Sequence, residues 1–161
     1  MYRESRYSMR IVGISSGGGH LTELLMVCRG LPEVRTIITE YGAVHRAAAD
    51  GITFLPIHDP HRSIPLFLKN WFQALRYLRS LKPDIVLSTG AGMTVPFFLM
   101  ARVLGELCIF VETGARVTSP SLTGRILYPF SHLFIVQSEA LLSVYPRAQI
   151  ASIIVGSRSE Q

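Results

Sequence analysis

Apolar residues come along this chain in short, β-branched blocks separated by stretches with helical spacing. Blocks of this kind stand at 11–15 (IVGIS), 35–40 (RTIITE), 52–57 (ITFLPI), 84–89 (DIVLST), 107–112 (LCIFVE) and 133–137 (LFIVQ), with a further one at 151–156 (ASIIVG). Each reads as a strand, and the spacing between them predicts helices near 21–30, 43–49, 65–81, 95–104, 122–129 and 138–145. Unbroken apolar strands are strands covered on both faces. Their alternation with helices predicts an α/β fold, a Rossmann-like three-layer sandwich around a mostly parallel sheet. In the longest helical stretch, Leu68, Phe72, Leu75 and Leu78 are expected to face the sheet. Lys69, Arg76 and Arg79, with Phe67 and Trp71 beside them, then form a basic face that is either solvated or rests on anionic lipid.

At 161 residues the chain is the size of one domain, and nothing in it reads as a linker or repeat. Residues 1–161 are therefore expected to form a single domain, with 1–9 a flexible lead-in. Hydrophobic residues at 48% against 17% charged exclude a disordered chain. The net charge of +5 favours anionic partners, whereas the lack of a dense Lys/Arg stripe argues against nucleic acid. Cys28 and Cys108 lie inside apolar patterns and read as free buried thiols. No apolar run follows the basic start as a signal peptide would require, and none is long enough to span a bilayer.

In open parallel sheets ligands bind beyond the carboxyl ends of the strands. The polar and glycine-rich segments all fall at that edge: SSGGGH, HDPHRS, TGAGMT and ETGARVTSPS. In the first, Ser16 and Gly17, Gly18 and Gly19 lead into a helix, so backbone N–H groups and the helix dipole can meet an anion. A tight turn without a ligand is the plainer alternative. The loop lacks the Lys-Ser/Thr of a P-loop. Gly17 and Gly19, with Glu40 about 20 residues on, half-match a dinucleotide fingerprint, but Thr22 stands at its third small position. His20, at the helix start, is either a base for a hydroxyl or a hydrogen-bonding element of the turn.

TGAGMTVP repeats the design, with Gly90 and Gly92 in the turn, Thr94 as the expected N-cap and Pro96 in the first turn. Glu112 ends a buried strand, where a carboxylate is costly unless paired or functional. Arg116 is its expected partner, or else a phosphate clamp. His58 and His61 with one acid fall short of a metal-ligand set.

The segments SSGGGHLTELL, KPDIVLSTGAGMTVPF and VETGARVTSPSLTGRILYPFSHLFIVQ, in this order, resemble the acceptor-binding subunits of split GT-B glycosyltransferases. These are the asparagine-linked glycosylation protein fourteen family of the dolichol pathway and bacterial PssD–CpsF-like proteins of capsule and exopolysaccharide synthesis. A more distant resemblance runs to the amino-terminal domain of the lipid II synthase MurG. The resemblance implies a fold equivalent to the amino-terminal half of a GT-B enzyme. It implies an inverting transfer from a UDP-sugar to a polyprenyl-diphosphate-linked saccharide, with a separate donor-binding subunit holding the UDP-sugar and no resident cofactor or metal.

By the same resemblance His20 and Glu112 are the candidates for general base or for holding the acceptor hydroxyl. Ser16, Gly17, Gly18, Gly19, Gly90, Gly92, Thr94, Arg116, Ser119 and Ser121 are the candidates for gripping acceptor and phosphate. The eukaryotic subunits carry an amino-terminal membrane anchor, whereas ten residues precede the first strand here. Attachment is then expected to be peripheral, at the cytoplasmic face of a membrane. Two other readings stay open: a non-catalytic module that recruits a competent glycosyltransferase, and a dinucleotide-binding oxidoreductase domain.

Overall fold

A computed structural model of the chain describes residues 9–44, 51–58 and 63–153. The expected flexible lead-in at 1–8 lies outside them, as do 45–50 of the second helix and His61. The elements are β1 (Ile11–Ser15), α1 (Gly19–Cys28), β2 (Val34–Glu40), α2 (Tyr41–Val44), β3 (Thr53–Ile57), α3 (Ile64–Leu81), β4 (Ile85–Gly90), α4 (Val95–Leu104), β5 (Leu107–Val111), α5 (Leu122–Leu127), β6 (Leu133–Val136) and β7 (Gln149–Ile150). Short 3-10 turns at Gly92–Thr94, Tyr128–Phe130 and Glu139–Ser143 complete them.

The strands lie in the order β3-β2-β1-β4-β5-β6-β7, and every neighbouring pair is parallel. This is the Rossmann-like α/β arrangement that the apolar blocks predict. The central strands β1 and β4 are buried along their whole length, as strands walled on both faces must be. On one face α3, α4 and α5 bury Ala74, Leu78, Phe97, Phe98 and Leu127 against Phe110, Phe134 and Val136. On the other, α1 sets Leu21, Leu24 and Cys28 on Ile11, Ile37, Ile85 and Leu87. Beyond α1, among the described residues, an apolar groove of about 830 Å3 runs on that second face beside Met26 and Leu31 over Ile109, Val111 and Ile135.

Several local expectations change. Among the described residues the final strand is Gln149–Ile150, and 151–153 of the expected 151–156 are not strand, although the Ala151 N–H still bonds the Val136 carbonyl; 154–156 lie outside the described residues. The helix expected at 138–145 is a 3-10 turn. The one at 122–129 stops at Leu127, because Pro129 has no N–H to extend the α ladder and Tyr128–Phe130 tightens to 3-10.

The packed face of α3 is the expected one only in its second half, at Leu75 and Leu78. Asn70, Ala74 and Leu78 face the interior, and Leu75 is half-buried. Leu68 and Phe72 point to solvent, at 56% and 78% exposure. With 3.6 residues per turn, the row Asn70–Ala74–Leu78 centres about a third of a turn around the helix from the row Ile64–Leu68–Phe72. Small Ala74 lets the helix settle close. The Asn70 amide is admitted because it donates to the His58 carbonyl at 3.0 Å.

Candidate functional site

The chain runs outward from β1 through β2 to β3 and then crosses to β4. The strand order therefore reverses between β1 and β4, where parallel α/β sheets open a crevice at their carboxyl ends. The loops after these two strands are the two glycine-rich segments, and His20 joins them. Its Nδ1 lies 2.9 Å from the Thr89 carbonyl oxygen, and the Thr89 hydroxyl donates to the His20 carbonyl at 2.7 Å. A carbonyl can only accept, so Nδ1 carries a proton, and Nε2 is the lone-pair nitrogen of the neutral ring. That nitrogen makes no hydrogen bond within the described residues.

Beside it, α1 begins at Gly19 behind Gly18, whose φ is +69°. No side chain caps the helix and no acid stands in its first turn, so the N–H groups there have no side-chain acceptor. Ser16 reaches the Gly17 carbonyl at 3.4 Å. Gly17 packs on the Glu40 carboxylate, which any side chain at 17 would overlap. The Thr22 hydroxyl donates to the Gly18 carbonyl at 3.2 Å, closing the turn from within.

In the second loop Gly92 is exposed, and Ala91 takes an unusual φ of +76°. Thr94 does not cap α4 as expected: it is fully buried, and its hydroxyl donates to the Ala91 carbonyl at 2.8 Å. It shapes the turn from below rather than meeting a ligand.

Glu112 lies just past β5 at 1% exposure. Its Oε1 accepts from the Thr113 N–H at 3.2 Å. Its Oε2 accepts from the Ser121 N–H (3.2 Å), the Ser121 hydroxyl (3.1 Å) and the Tyr145 hydroxyl (3.3 Å). Ser121 in turn caps α5, its Oγ accepting from the Gly124 N–H at 2.8 Å. Gly124 has to be glycine here, since a Cβ would overlap Oε2 of Glu112. Burial, and then the Glu112 charge, push the Tyr145 phenol well above its ordinary range and keep it a donor.

The carboxylate is thus satisfied from within and does not reach the cleft surface. The expected Glu112–Arg116 pair is absent: among the described residues the one ion pair is Arg10–Asp84 at 3.5 Å, on the far edge of the sheet. Arg116 is exposed, with no ion pair among the described residues, and Ser119 is exposed as well.

The sequence reading missed Glu23. Its Oε1 accepts from the Thr113 hydroxyl at 3.1 Å and the Gly114 N–H at 2.9 Å, which ties α1 to the loop after β5. Its spacing from His20 was the available signal, since residues three apart share a helix face.

The sequence profile of the family described as "Oligosaccharide biosynthesis protein Alg14 like" matches residues 58–154. "UDP-N-acetylglucosamine transferase subunit ALG14" of Mus musculus is 32% identical over 186 residues, covering 93% of this chain and 85% of that protein. The protein of the same name from Homo sapiens is 28% identical with the same coverage. Among solved structures, MurG of Acinetobacter baumannii superposes with a TM-score of 0.70 at 20% identity, over 82% of this chain and 42% of that one. UDP-GlcNAc 2-epimerase of Methanocaldococcus jannaschii gives 0.66 at 18%, over 88% and 45%. The chain therefore spans less than half the length of either solved structure, and the likeness bears out the expected fold, one Rossmann-like half of a GT-B architecture. By profile and by overall identity, this chain belongs to the Alg14-like family of oligosaccharide biosynthesis proteins.

Proposed function

We propose that the chain is the acceptor-binding subunit of a two-component glycosyltransferase, working as a single domain opposite a separate donor-binding subunit. Its relatives' name as UDP-N-acetylglucosamine transferase subunits supports UDP-GlcNAc as the sugar donor. The acceptor in this reading is a saccharide on a polyprenyl diphosphate. The observation that carries the proposal is the His20–Thr89 pair, which fixes Nδ1 as a donor and leaves Nε2 as the acceptor of the neutral ring beside an uncapped helix N-terminus.

In this reading Nε2 of His20 takes the proton of the acceptor hydroxyl as its oxygen attacks the anomeric carbon. The bond from that carbon to the UDP oxygen breaks, UDP leaves with the electron pair, and the configuration inverts. The glycine-loop N–H groups of Gly17, Gly18 and Gly19 and the Arg116 guanidinium hold the acceptor diphosphate. Gly92 leaves room for the saccharide and Gly90 for the His20 ring, with Ser16, Ser119 and Ser121 along the border of the site. Glu112 is assigned the building of the loop, and proton removal is assigned to His20. Stabilising the leaving diphosphate falls to the partner.

Among the described residues no helix is long and apolar enough to cross a membrane. The exposed row Ile64, Leu68 and Phe72 supports peripheral attachment at the cytoplasmic face instead. Lys69, Arg76 and Arg79 share its helix, and no acid occurs between Ile64 and Leu81, so the complementary surface is anionic lipid.

The experiment is reconstitution with a donor-binding subunit, following sugar transfer from UDP-GlcNAc to a short-chain polyprenyl-diphosphate sugar. Turnover by the pair with little from this chain alone is the expected result. Substantial turnover by the lone chain would overturn the reading.

A further inference from the structure

We propose that Glu23 is a positioning residue that locks the Arg116 loop to the helix bearing His20, so that the two grips on the acceptor diphosphate move as one. The anchoring stands on geometry alone; its consequence for diphosphate binding rests on the function proposed above.

The loop after β5 is wound around Thr113. The Thr113 hydroxyl oxygen accepts from the Ala115 N–H at 3.3 Å, and its carbonyl accepts from the Arg116 N–H at 2.9 Å. One oxygen of Glu23 holds this hub from outside, accepting from the Thr113 hydroxyl and the Gly114 N–H. The other, Oε2, is buried and has no hydrogen-bond partner among the described residues. All the hydrogen bonding of this carboxylate therefore goes to the loop, through one atom, across 90 and 91 residues of sequence. Leaving one carboxylate oxygen buried and unpaired is costly, and the charge-assisted bonds at Oε1 offset that cost only with Thr113 and Gly114 in place.

Glu23 sits one turn along α1 from His20, on the same helix face. The turn that carries His20 and the free N–H groups is thereby fixed relative to the loop that carries Arg116. Without the tie the Arg116 loop has Glu112 below it, through the Thr113 N–H, but nothing joining it to α1 through these bonds.

Hydrogen exchange on the intact chain tests the anchor directly. Glu23→Ala is expected to speed exchange at the Gly114 and Ala115 amides by about tenfold or more. Glu23→Gln, which keeps an acceptor oxygen, restores most of the protection. Thr113→Val removes the hydroxyl half of the tie from the loop side and, read at the Gly114 amide because the Ala115 N–H bonds that same hydroxyl, serves if the alanine variant fails to fold. Unchanged exchange at these amides in the variants would overturn the proposal.

Binding of farnesyl diphosphate reads the consequence. Glu23→Ala weakens it by about tenfold in the wild-type background, and by less than about twofold once Arg116 is alanine. Equal losses in both backgrounds would show that Glu23 does not act through Arg116, and would remove that part of the proposal. If the wild-type chain ignores farnesyl diphosphate, the acceptor reading fails instead, and exchange still decides the anchor.

Discussion

A methyl group built on Gly90 would stand 3.1 Å from Cε1 of His20, so the imidazole occupies space that exists because residue 90 has no side chain. Gly90 also has a φ of +117°, a torsion that side chains rarely adopt. Gly90→Ala is therefore expected to lose about 1–3 kcal/mol of stability. It should also turn the ring away from the Thr89 carbonyl. Denaturant unfolding reads the first effect, and the histidine Nδ1–H resonance, shifted by its hydrogen bond, reads the second.

Ser121 and Tyr145 both donate to one oxygen of a buried carboxylate. Ser121→Ala removes a donor to Glu112 and the cap of α5 together, with an expected cost of about 1–3 kcal/mol. Tyr145→Phe removes one donor and leaves the rings around it packed, so the loss should be smaller. Urea titrations of the two variants check the order.

Glu106, at the edge opposite the site, is held up to about 7 by burial first and by the nearby Asp84 charge second, against an ordinary carboxyl value of 4.5. The folded chain therefore keeps a proton there that the unfolded chain has already released. Stability from this group is present below about pH 4.5 and is lost as pH rises through about 7. Glu106→Gln should flatten that decline, and melting temperatures taken from pH 4 upward would show it. A parallel decline in both proteins would contradict the assignment.

The apolar row on α3 gives a lipid prediction. Replacing Leu68 and Phe72 together by serine should abolish sedimentation with vesicles rich in phosphatidylglycerol and leave folding intact, since both side chains are exposed. Wild-type protein should bind phosphatidylcholine vesicles far less, because the basic side chains then have no counter-charge. Equal binding to both lipids would count against the electrostatic part.

The fold was readable because buried parallel strands write themselves as apolar blocks, and β1 and β4 are the plainest cases. The gathering of glycine loops at one edge followed from strand direction. Contacts across 90 residues were not readable. Nothing local to Glu112 shows that Ser121 and Tyr145 satisfy it, and that is why Arg116 read as its partner. On α3 both faces carry large apolar residues, so periodicity alone did not tell the face packed by Ala74 from the one bearing Phe72.

In the proposed reaction the His20 imidazole of this chain removes a proton while another polypeptide completes the transfer. The most direct test is the turnover of the reconstituted pair with His20→Gln, alongside a measurement of complex assembly. The account predicts that assembly holds while kcat falls by about 10²–10⁴. An intact complex transferring sugar at the wild-type rate would contradict it and leave this subunit a scaffold.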